Sequence, residues 1–159
     1  MMKTLRYMTA LCAVLLLAAC ESYDCTLYNY VGCYGTFYQD DAMVSLNDTL
    51  TITAGQSGPV LLNKAVGTSK LNVPLSYWQE EDTLVLTVKG EYYLVQDTIW
   101  ITKSNQVHYE SPDCPTTLFH TIQGVRSTHE FIDSINIIRS SVNYEKTDNM
   151  QIHLFSATD

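Results

Sequence analysis

Short runs in which apolar and polar residues alternate constrain this chain most, because no sustained helical period appears after residue 34. The run 49–53 places Leu50 and Ile52 on one face and threonines on the other, and the run 83–88 repeats the pattern. Successive side chains of a strand point to opposite faces, so this period predicts half-buried β-strands.

Similar runs recur along the rest of the chain, separated by polar or glycine-containing breaks. They cover residues 34–38, 42–46, 59–62, 71–76, 98–102, 106–109, 118–125, 132–138 and 150–155. Pro74 cannot donate a ladder hydrogen bond, so the run 71–76 is predicted to be an edge strand or to carry a bulge. Spacings of about 8 to 15 residues are typical of sandwiches. We predict an all-β fold over residues 34–159, a two-layer immunoglobulin-like antiparallel β-sandwich.

The first nineteen residues have the features of a secretory signal peptide. Lys3 and Arg6 form a positive segment, residues 8–19 are apolar, and Cys20 follows two alanines. The apolar stretch is shorter than the roughly 20 residues that span a bilayer. Residues 1–19 are therefore predicted to be removed.

The quartet Leu17-Ala18-Ala19-Cys20 resembles the lipobox of bacterial lipoproteins. The resemblance implies that Cys20 is lipidated and becomes the first mature residue, with residues 20–33 as a tether. A plain signal peptide followed by an incidental cysteine is the alternative. Each buried methylene adds about 0.8 kcal/mol of membrane affinity, so a multiply acylated Cys20 is a stable anchor. The expected location is the cell envelope, where the lipid would anchor the protein in the outer membrane on either its periplasmic or its surface face.

The net charge excludes two classes of partner. The whole chain carries −8, and removal of Lys3 and Arg6 with the signal leaves 7 basic against 17 acidic residues, a charge of −10. Such a domain repels phosphate backbones and anionic headgroups. We expect no nucleic-acid binding and no electrostatic membrane binding.

Three cysteines remain in the folded domain once Cys20 is lipidated: Cys25, Cys33 and Cys114. In an oxidising envelope, an odd number predicts one disulfide and one free thiol, and spacing leaves the three pairings open. The absence of a Cys-x-x-Cys pair argues against a zinc site.

Four triplets share the order Asp, hydroxyl residue, aliphatic residue. They begin at Asp48, Asp82, Asp97 and Asp133. One interpretation is local, with each aspartate bonding its own backbone at a turn before a strand. The triplet also resembles the O-glycosylation sequon of exported Bacteroidetes proteins, which implies Thr49, Thr83, Thr98 and Ser134 as candidate acceptors.

The order of weaker elements over residues 20–155 resembles an uncharacterised family of small Bacteroidetes lipoproteins with a domain of unknown function. These elements are Cys25, Asn63, Ser69 and the segments 73–76, 97–99, 111–114, 135–137, 142–143 and 149–152. The resemblance implies a Cys25–Cys114 disulfide, with Cys33 as an addition that has no inherited partner. It implies no activity.

Motifs of catalysis are missing from the sequence: no Gly-x-Ser-x-Gly, His-Glu-x-x-His, P-loop or dinucleotide fingerprint occurs. His108, His120, His129 and His153 are scattered and expected to be half-exposed sheet residues. The acidic groups 40–41 and 80–82 lack the spacing of a calcium loop. We predict no catalytic residue, no metal site and no cofactor.

Tyrosine is abundant, and Tyr77-Trp78 and Tyr92-Tyr93 fall at predicted strand ends. Packing is the commoner role of strand tyrosines, whereas exposed rings bind sugars and protein partners. The favoured function is a non-catalytic envelope lipoprotein, an interaction or accessory module for another outer-membrane protein; an outer-membrane barrel protein is one candidate. The alternative is a carbohydrate-binding or glycoside-hydrolysing surface module, for which two carboxylates about 5 to 10 Å apart in a groove would argue.

Overall fold

The structure, a computed structural model, describes residues 30–112 and 114–156. Within these ranges the chain is all-β, and it contains no helix of the length and apolarity needed to span a membrane. The strands are β1 (Cys33–Gln39), β2 (Ala42–Met43), β3 (Thr49–Ala54), β4 (Val60–Ala65), β5 (Lys70–Val73), β6 (Glu81–Lys89), β7 (Leu94–His108), β8 (Thr117–Ser127), β9 (Ile132–Ile137), β10 (Ser141–Val142) and β11 (Met150–Leu154).

These strands form two sheets that pack against each other. The five-stranded sheet has the order β2-β1-β11-β9, with β5 also paired to β1, and the six-stranded sheet has the order β10-β8-β7-β6-β3-β4. The prediction of an all-β, two-layer fold is confirmed. Signal peptide and tether up to residue 29 lie outside the described residues.

One strand pair departs from the antiparallel prediction. β1 and β11 are parallel, with Phe37 opposite Ile152. They lie at the two ends of the domain sequence, so no tight turn has to connect them and a parallel pairing is sterically open. The five-stranded sheet is therefore mixed.

The described chain divides into two compact units. Residues 30–108 and 116–156 make up the β-sandwich, and residues 109–115, without 113, belong to the other unit. In that second unit the backbone N–H of Cys114 donates to the carbonyl of Ser111 at 3.1 Å, which closes a turn.

The alternating residues of the sequence form the core. Leu50 and Ile52 on β3 are fully buried, as predicted, while the threonines between them are half-buried. Leu86 and Ile99 from the same sheet share one apolar cluster with Phe37 from the five-stranded sheet. Burying each such side chain contributes about 1.5 to 3 kcal/mol.

β7 corrects the predicted strand boundaries. The runs 98–102 and 106–109 were expected as separate strands because polar residues divide them, yet residues 94–108 form one strand. A register shift against β8 falls between Thr102 and Lys103. Lys103 is buried because its charge is partnered inside the protein, so the polar stretch does not break the strand.

Pro74 follows the last residue of β5, and this strand pairs with β1 alone. The prediction of an edge strand at this position is confirmed. A proline just beyond the strand removes no ladder hydrogen bond.

A buried carboxylate holds the passage from one sheet to the other. Asp97, on β7, accepts hydrogen bonds from the backbone N–H groups of Thr128, Glu130, Phe131 and Ile132 at 2.9 to 3.0 Å, and from the hydroxyl of Thr128. These donors lie in the connection from β8 to β9 and at the first residue of β9, where the chain leaves the six-stranded sheet. The local-turn interpretation of this aspartate is wrong, since its partners are 31 to 35 residues away.

Burial alone would raise the pKa of Asp97, but the hydrogen bonds from Thr128 and from the backbone of Ile132, Phe131 and Glu130 outweigh it and lower the pKa below its usual value. The carboxylate is thus charged in the folded state at pH values where an unfolded aspartate is already half protonated. Its stabilising effect is present above about pH 4 and is lost as pH falls through the folded-state pKa.

We predict that Asp97→Asn lowers the free energy of unfolding by about 2 to 4 kcal/mol, because one acceptor oxygen is replaced by a donor facing N–H groups. Urea denaturation at pH 7 measures the change. The matched control is Asp133→Asn, an exposed position in β9, which should change stability by less than about 0.5 kcal/mol. Equal effects of the two substitutions would contradict the structural role of Asp97.

Candidate functional site

The two ends of the β-sandwich expose different side chains. At one end β1 begins at Cys33, opposite Val73 of β5, and the segment 74–80 crosses from β5 to β6. We call this end the tether pole, because the described chain enters β1 there. The opposite end, the hairpin pole, carries the turn 90–93 between β6 and β7. β6 has 9 residues, so the poles lie about 30 Å apart.

The ammonium group of Lys103 is fully buried at the tether pole. Its Nζ donates to the carbonyl oxygens of Ser76 and Gln79, both at 2.7 Å, and to Oδ1 of Asn105 at 2.8 Å. Oδ2 of Asp82 lies 3.4 Å from the same nitrogen. The three N–H donors and the charge are all partnered, as burial of an ammonium requires.

The same neighbours fix the backbone of the segment 74–80. The backbone N–H of Lys103 donates to the carbonyl of Glu80 at 2.7 Å. Nδ2 of Asn105 donates to the carbonyls of Tyr77 and Gln79, each at 3.2 Å. Carbonyl groups along this segment are therefore bonded to the interior of the domain.

On this fixed segment, two aromatic side chains point to solvent. Trp78 is 90% exposed and Tyr77 is 56% exposed. The expectation that strand-end aromatics serve packing is wrong here, because the backbone contacts of the segment leave both rings outside the core.

A cleft of about 530 Å³ also lies at the tether pole, between the β3–β4 connection and the segment 74–80. Ser76, Gln79, Asp82 and Thr83 supply its polar lining. Asp82 is the carboxylate among these lining residues, and both of its oxygens accept from the backbone N–H of Ser76 at 3.1 and 3.2 Å. A second carboxylate, which hydrolysis of a glycoside would need, does not line this cleft in the described part of the chain.

His120 extends the buried polar network. Its Nδ1–H donates to Oδ1 of Asn105 at 2.8 Å, and the residue is buried, not half-exposed as predicted. Burial, and then the charge of Lys103, lower the pKa of His120 to about 4 against an opposing effect of Asp82. The imidazole is neutral at physiological pH.

Cys33 is the free cysteine of the described residues and is completely buried. Burial, and then the Asp82 carboxylate, raise the pKa of its thiol to about 12. The group is a neutral thiol at physiological pH and a poor nucleophile. Cys33 is therefore unpaired, in agreement with the resemblance, which gave it no partner, and it is completely buried. Cys20 and Cys25 lie outside the described residues, and the Cys25–Cys114 pairing stays a prediction.

The hairpin pole carries a second exposed aromatic group on a fixed turn. The backbone N–H of Gly90 donates to the carbonyl of Tyr93 at 3.0 Å, and the Tyr93 hydroxyl donates to the Asp48 carboxylate. The hydrogen bond that Tyr93 donates to Asp48, and then burial, raise the pKa of Tyr93. Tyr92, at the tip, is 89% exposed, and Leu94 is 61% exposed.

A shallow cleft of about 490 Å³ adjoins this turn. Its lining combines the cations Lys64 and Lys89 with the carboxylates of Asp48 and Glu91. The hairpin pole therefore combines exposed apolar side chains with charges of both signs around the adjoining cleft.

The four candidate glycosylation residues all lie in strands and are half-buried: Thr49, Thr83, Thr98 and Ser134. Ser134 is in β9, an edge strand, and its hydroxyl donates to Asp133 at 3.1 Å. The structure does not bring the four residues together at one place. Their modification stays a prediction.

Groups of three or more His, Cys, Asp or Glu side chains that could hold a metal do not occur in the ranges that the structure describes. The acidic residues that the sequence singled out serve other roles. Asp40 and Asp41 adopt positive φ angles of 50° and 61° in the turn from β1 to β2, a conformation that aspartate tolerates better than most residues.

Sequence reasoning missed Lys103 and Asn105, the residues that organise the tether pole. A lysine in a polar stretch indicates a surface loop, and only its position between two apolar runs hinted at a continuous strand. No local pattern shows that its partners are carbonyls 24 and 27 residues away.

We predict that His120 makes stability depend on pH. The unfolded histidine takes up a proton near pH 6.5, whereas the folded one does so only near pH 4, so acidification in this window favours unfolding. The wild type should lose on the order of 2 to 3 kcal/mol between pH 7 and pH 4 through this group, and His120→Asn should remove that loss. Urea denaturation across the pH range measures it.

The matched control is His129→Asn, at an exposed position with a φ of 59° that asparagine tolerates. Its pH profile should follow the wild type. Parallel profiles for the wild type and His120→Asn would show that His120 does not carry the effect.

Comparison with known proteins gives a family match. A family model described as a family of unknown function (DUF6452) matches residues 49–154, from β3 to β11. No curated protein and no solved structure matches the chain. The match agrees with the predicted resemblance to an uncharacterised family, and it begins after Cys20 and Cys25. Because the match covers most of the sequence, the chain belongs to the DUF6452 family of unknown function.

Proposed function

We propose that the protein is a non-catalytic envelope lipoprotein, a membrane-tethered β-sandwich that acts as an interaction module for another outer-membrane protein. The observation that carries this proposal is the turn at the hairpin pole, where a fixed backbone exposes Tyr92 and Leu94. Exposed aromatic side chains on rigid elements are typical anchors of protein interfaces.

The rigidity of the turn matters for affinity. A partner that binds Tyr92 does not have to order the turn first, because the Gly90–Tyr93 backbone bond and the Tyr93–Asp48 contact already do so. Less conformational entropy is then lost on binding. Tyr92 itself supplies a large apolar area with a polar tip.

The buried ionisable groups argue for binding in preference to catalysis. Asp82 and Lys103 are engaged with each other and with backbone groups, and His120 is held neutral by burial and by Lys103. These residues hold loops in place, which is what a rigid display of side chains requires. His120, with its pKa lowered to about 4, is not poised as a general base near neutral pH.

The membrane attachment rests on the sequence. Cys20 follows the lipobox quartet, and we propose that its acyl chains anchor the protein in the outer membrane. The barrel protein named above as a candidate partner would share that membrane.

A carbohydrate-binding or glycoside-hydrolysing module is the second candidate. The exposed Tyr77 and Trp78 next to a cleft of about 530 Å³ favour sugar binding. Hydrolysis is less well supported, because Asp82 in this cleft already accepts from Ser76 and pairs with Lys103.

We also propose the Cys25–Cys114 disulfide. Two observations support it. Cys33 is free and buried, and Cys114 is itself engaged in an interaction. With Cys33 as the free thiol, one pairing of the three remains.

For the disulfide, we predict that Cys114→Ser costs about 4 to 5 kcal/mol of unfolding free energy, since the bond would close a loop of about 90 residues. The matched control is Cys33→Ala, which removes only one buried sulfur atom and should cost about 1 to 2 kcal/mol. Thermal and urea unfolding measure both. A non-reducing peptide map that finds Cys114 alkylated would contradict the pairing.

For the function, we predict that a photo-crosslinking amino acid at Tyr92, in the full lipoprotein in native envelopes, gives a discrete adduct with one protein. The same substitution at Gln123, an exposed position in the middle of β8, is the matched control and should give none. The adduct should disappear with Cys20→Ser, because the anchor no longer places the module at the membrane.

Adducts from both positions, or from neither, would contradict an interface at the hairpin pole. Metabolic labelling with palmitate tests the anchor separately: the wild type should be labelled and Cys20→Ser should not.

A further inference from the structure

We propose that the tether pole docks on the membrane itself, with Trp78 and Tyr77 inserted at the lipid–water interface. The proposal rests on the lipid anchor proposed at Cys20. It adds a second, non-covalent contact with the same bilayer and assigns a partner to the exposed aromatic segment.

The exposed residues of this pole have the composition of an interfacial contact. Trp78 is the most exposed large apolar side chain of the described residues, at 90%, and Tyr77 stands next to it. Tyr30 and Val107, which belong to the same end of the sandwich, are also exposed. Tryptophan and tyrosine favour the headgroup region, where the ring is in an apolar setting and the polar atom reaches water.

The position of the tether selects lipid as the occupant. Residues 20–32 connect the proposed anchor to β1, which begins at Cys33 on this pole. Fully extended, they span at most about 45 Å. The anchor is therefore attached to the tether pole, which has the shortest chain path to the bilayer. At the high effective concentration that a tether creates, a weak surface interaction is sufficient for docking.

The backbone of the segment is prepared for an environment poor in water. Carbonyl groups of Ser76, Tyr77, Gln79 and Glu80 already accept hydrogen bonds from the side chain or backbone of nearby strand residues. Groups that are bonded internally cost little to move out of water. Four carbonyls of the segment are thus already bonded when the aromatic side chains enter the interface.

The charges nearby predict which lipids matter. Glu81 is paired with Arg126 at 3.0 Å, and Glu80 is exposed and forms no ion pair with another described residue. An acidic surface gains nothing from anionic headgroups. Docking should therefore be supported by zwitterionic phosphatidylcholine and be insensitive to salt.

The two tryptophans of the chain allow a direct test with an internal control. Trp100 is half-buried in β7. The guanidinium carbon of Arg126 lies 4.0 Å from the centroid of the Trp100 ring. In Trp100→Phe the emission comes from Trp78, and in Trp78→Phe it comes from Trp100. The lipidated full-length protein is reconstituted into vesicles of phosphatidylcholine or of its dibrominated form, because bromine quenches tryptophan only at close range.

We expect the Trp78 emission to fall at least about twofold in brominated vesicles, as for an aromatic ring at headgroup level, and the Trp100 emission to stay unchanged. The reduction should be the same at low and high salt. Unquenched Trp78 in protein that floats with the vesicles would overturn docking while leaving the anchor intact. Failure of the wild type to float would overturn the anchor, and docking with it.

A third outcome would show that a protein, and not lipid, binds the exposed aromatic segment. If a photo-crosslinking amino acid at position 78 in native envelopes joins one discrete protein and not lipid, the segment is a protein interface and the docking proposal is wrong. Lipid adducts at position 78 would support it.

Discussion

The need to partner every buried charge organises this small domain. Lys103 and Asp97 sit in the same strand, β7, near opposite poles, and each binds backbone groups of a segment that connects the two sheets. An unpartnered charge in such positions would cost several kcal/mol. The positions of the segment 74–80 and of the β8–β9 connection therefore follow from where β7 places these two side chains.

This arrangement exposes aromatic side chains at both ends of the sandwich. The Lys103 network holds the segment with Trp78 at the end where the chain enters β1, and the turn 90–93 presents Tyr92 about 30 Å away. If the first end rests on the bilayer, the second faces away from it. A rigid spacer of this kind would bring its partner-binding turn to a fixed height above the membrane.

The four triplets of aspartate, hydroxyl residue and aliphatic residue show how much of the structure a sequence pattern could predict. The pattern placed each hydroxyl residue correctly in a strand. It could not distinguish Asp133, which is exposed, from Asp97, whose partners arrive from a connection 31 to 35 residues later. His120 shows the same limit, because the pairing of β7 with β8 brings Asn105, 15 residues earlier in the sequence, beside it.

The sequence by itself determined the all-β class, the core residues of β3 and β6 and the edge position before Pro74, because strand period and proline chemistry act locally. The order of its sequence elements indicated an uncharacterised family. Only the tertiary structure decided the parallel β1–β11 pair, the continuity of β7 through Lys103 and the exposure of Trp78. Those features depend on contacts between residues far apart in the chain. A local pattern carries no information about which distant carbonyl will receive a buried ammonium.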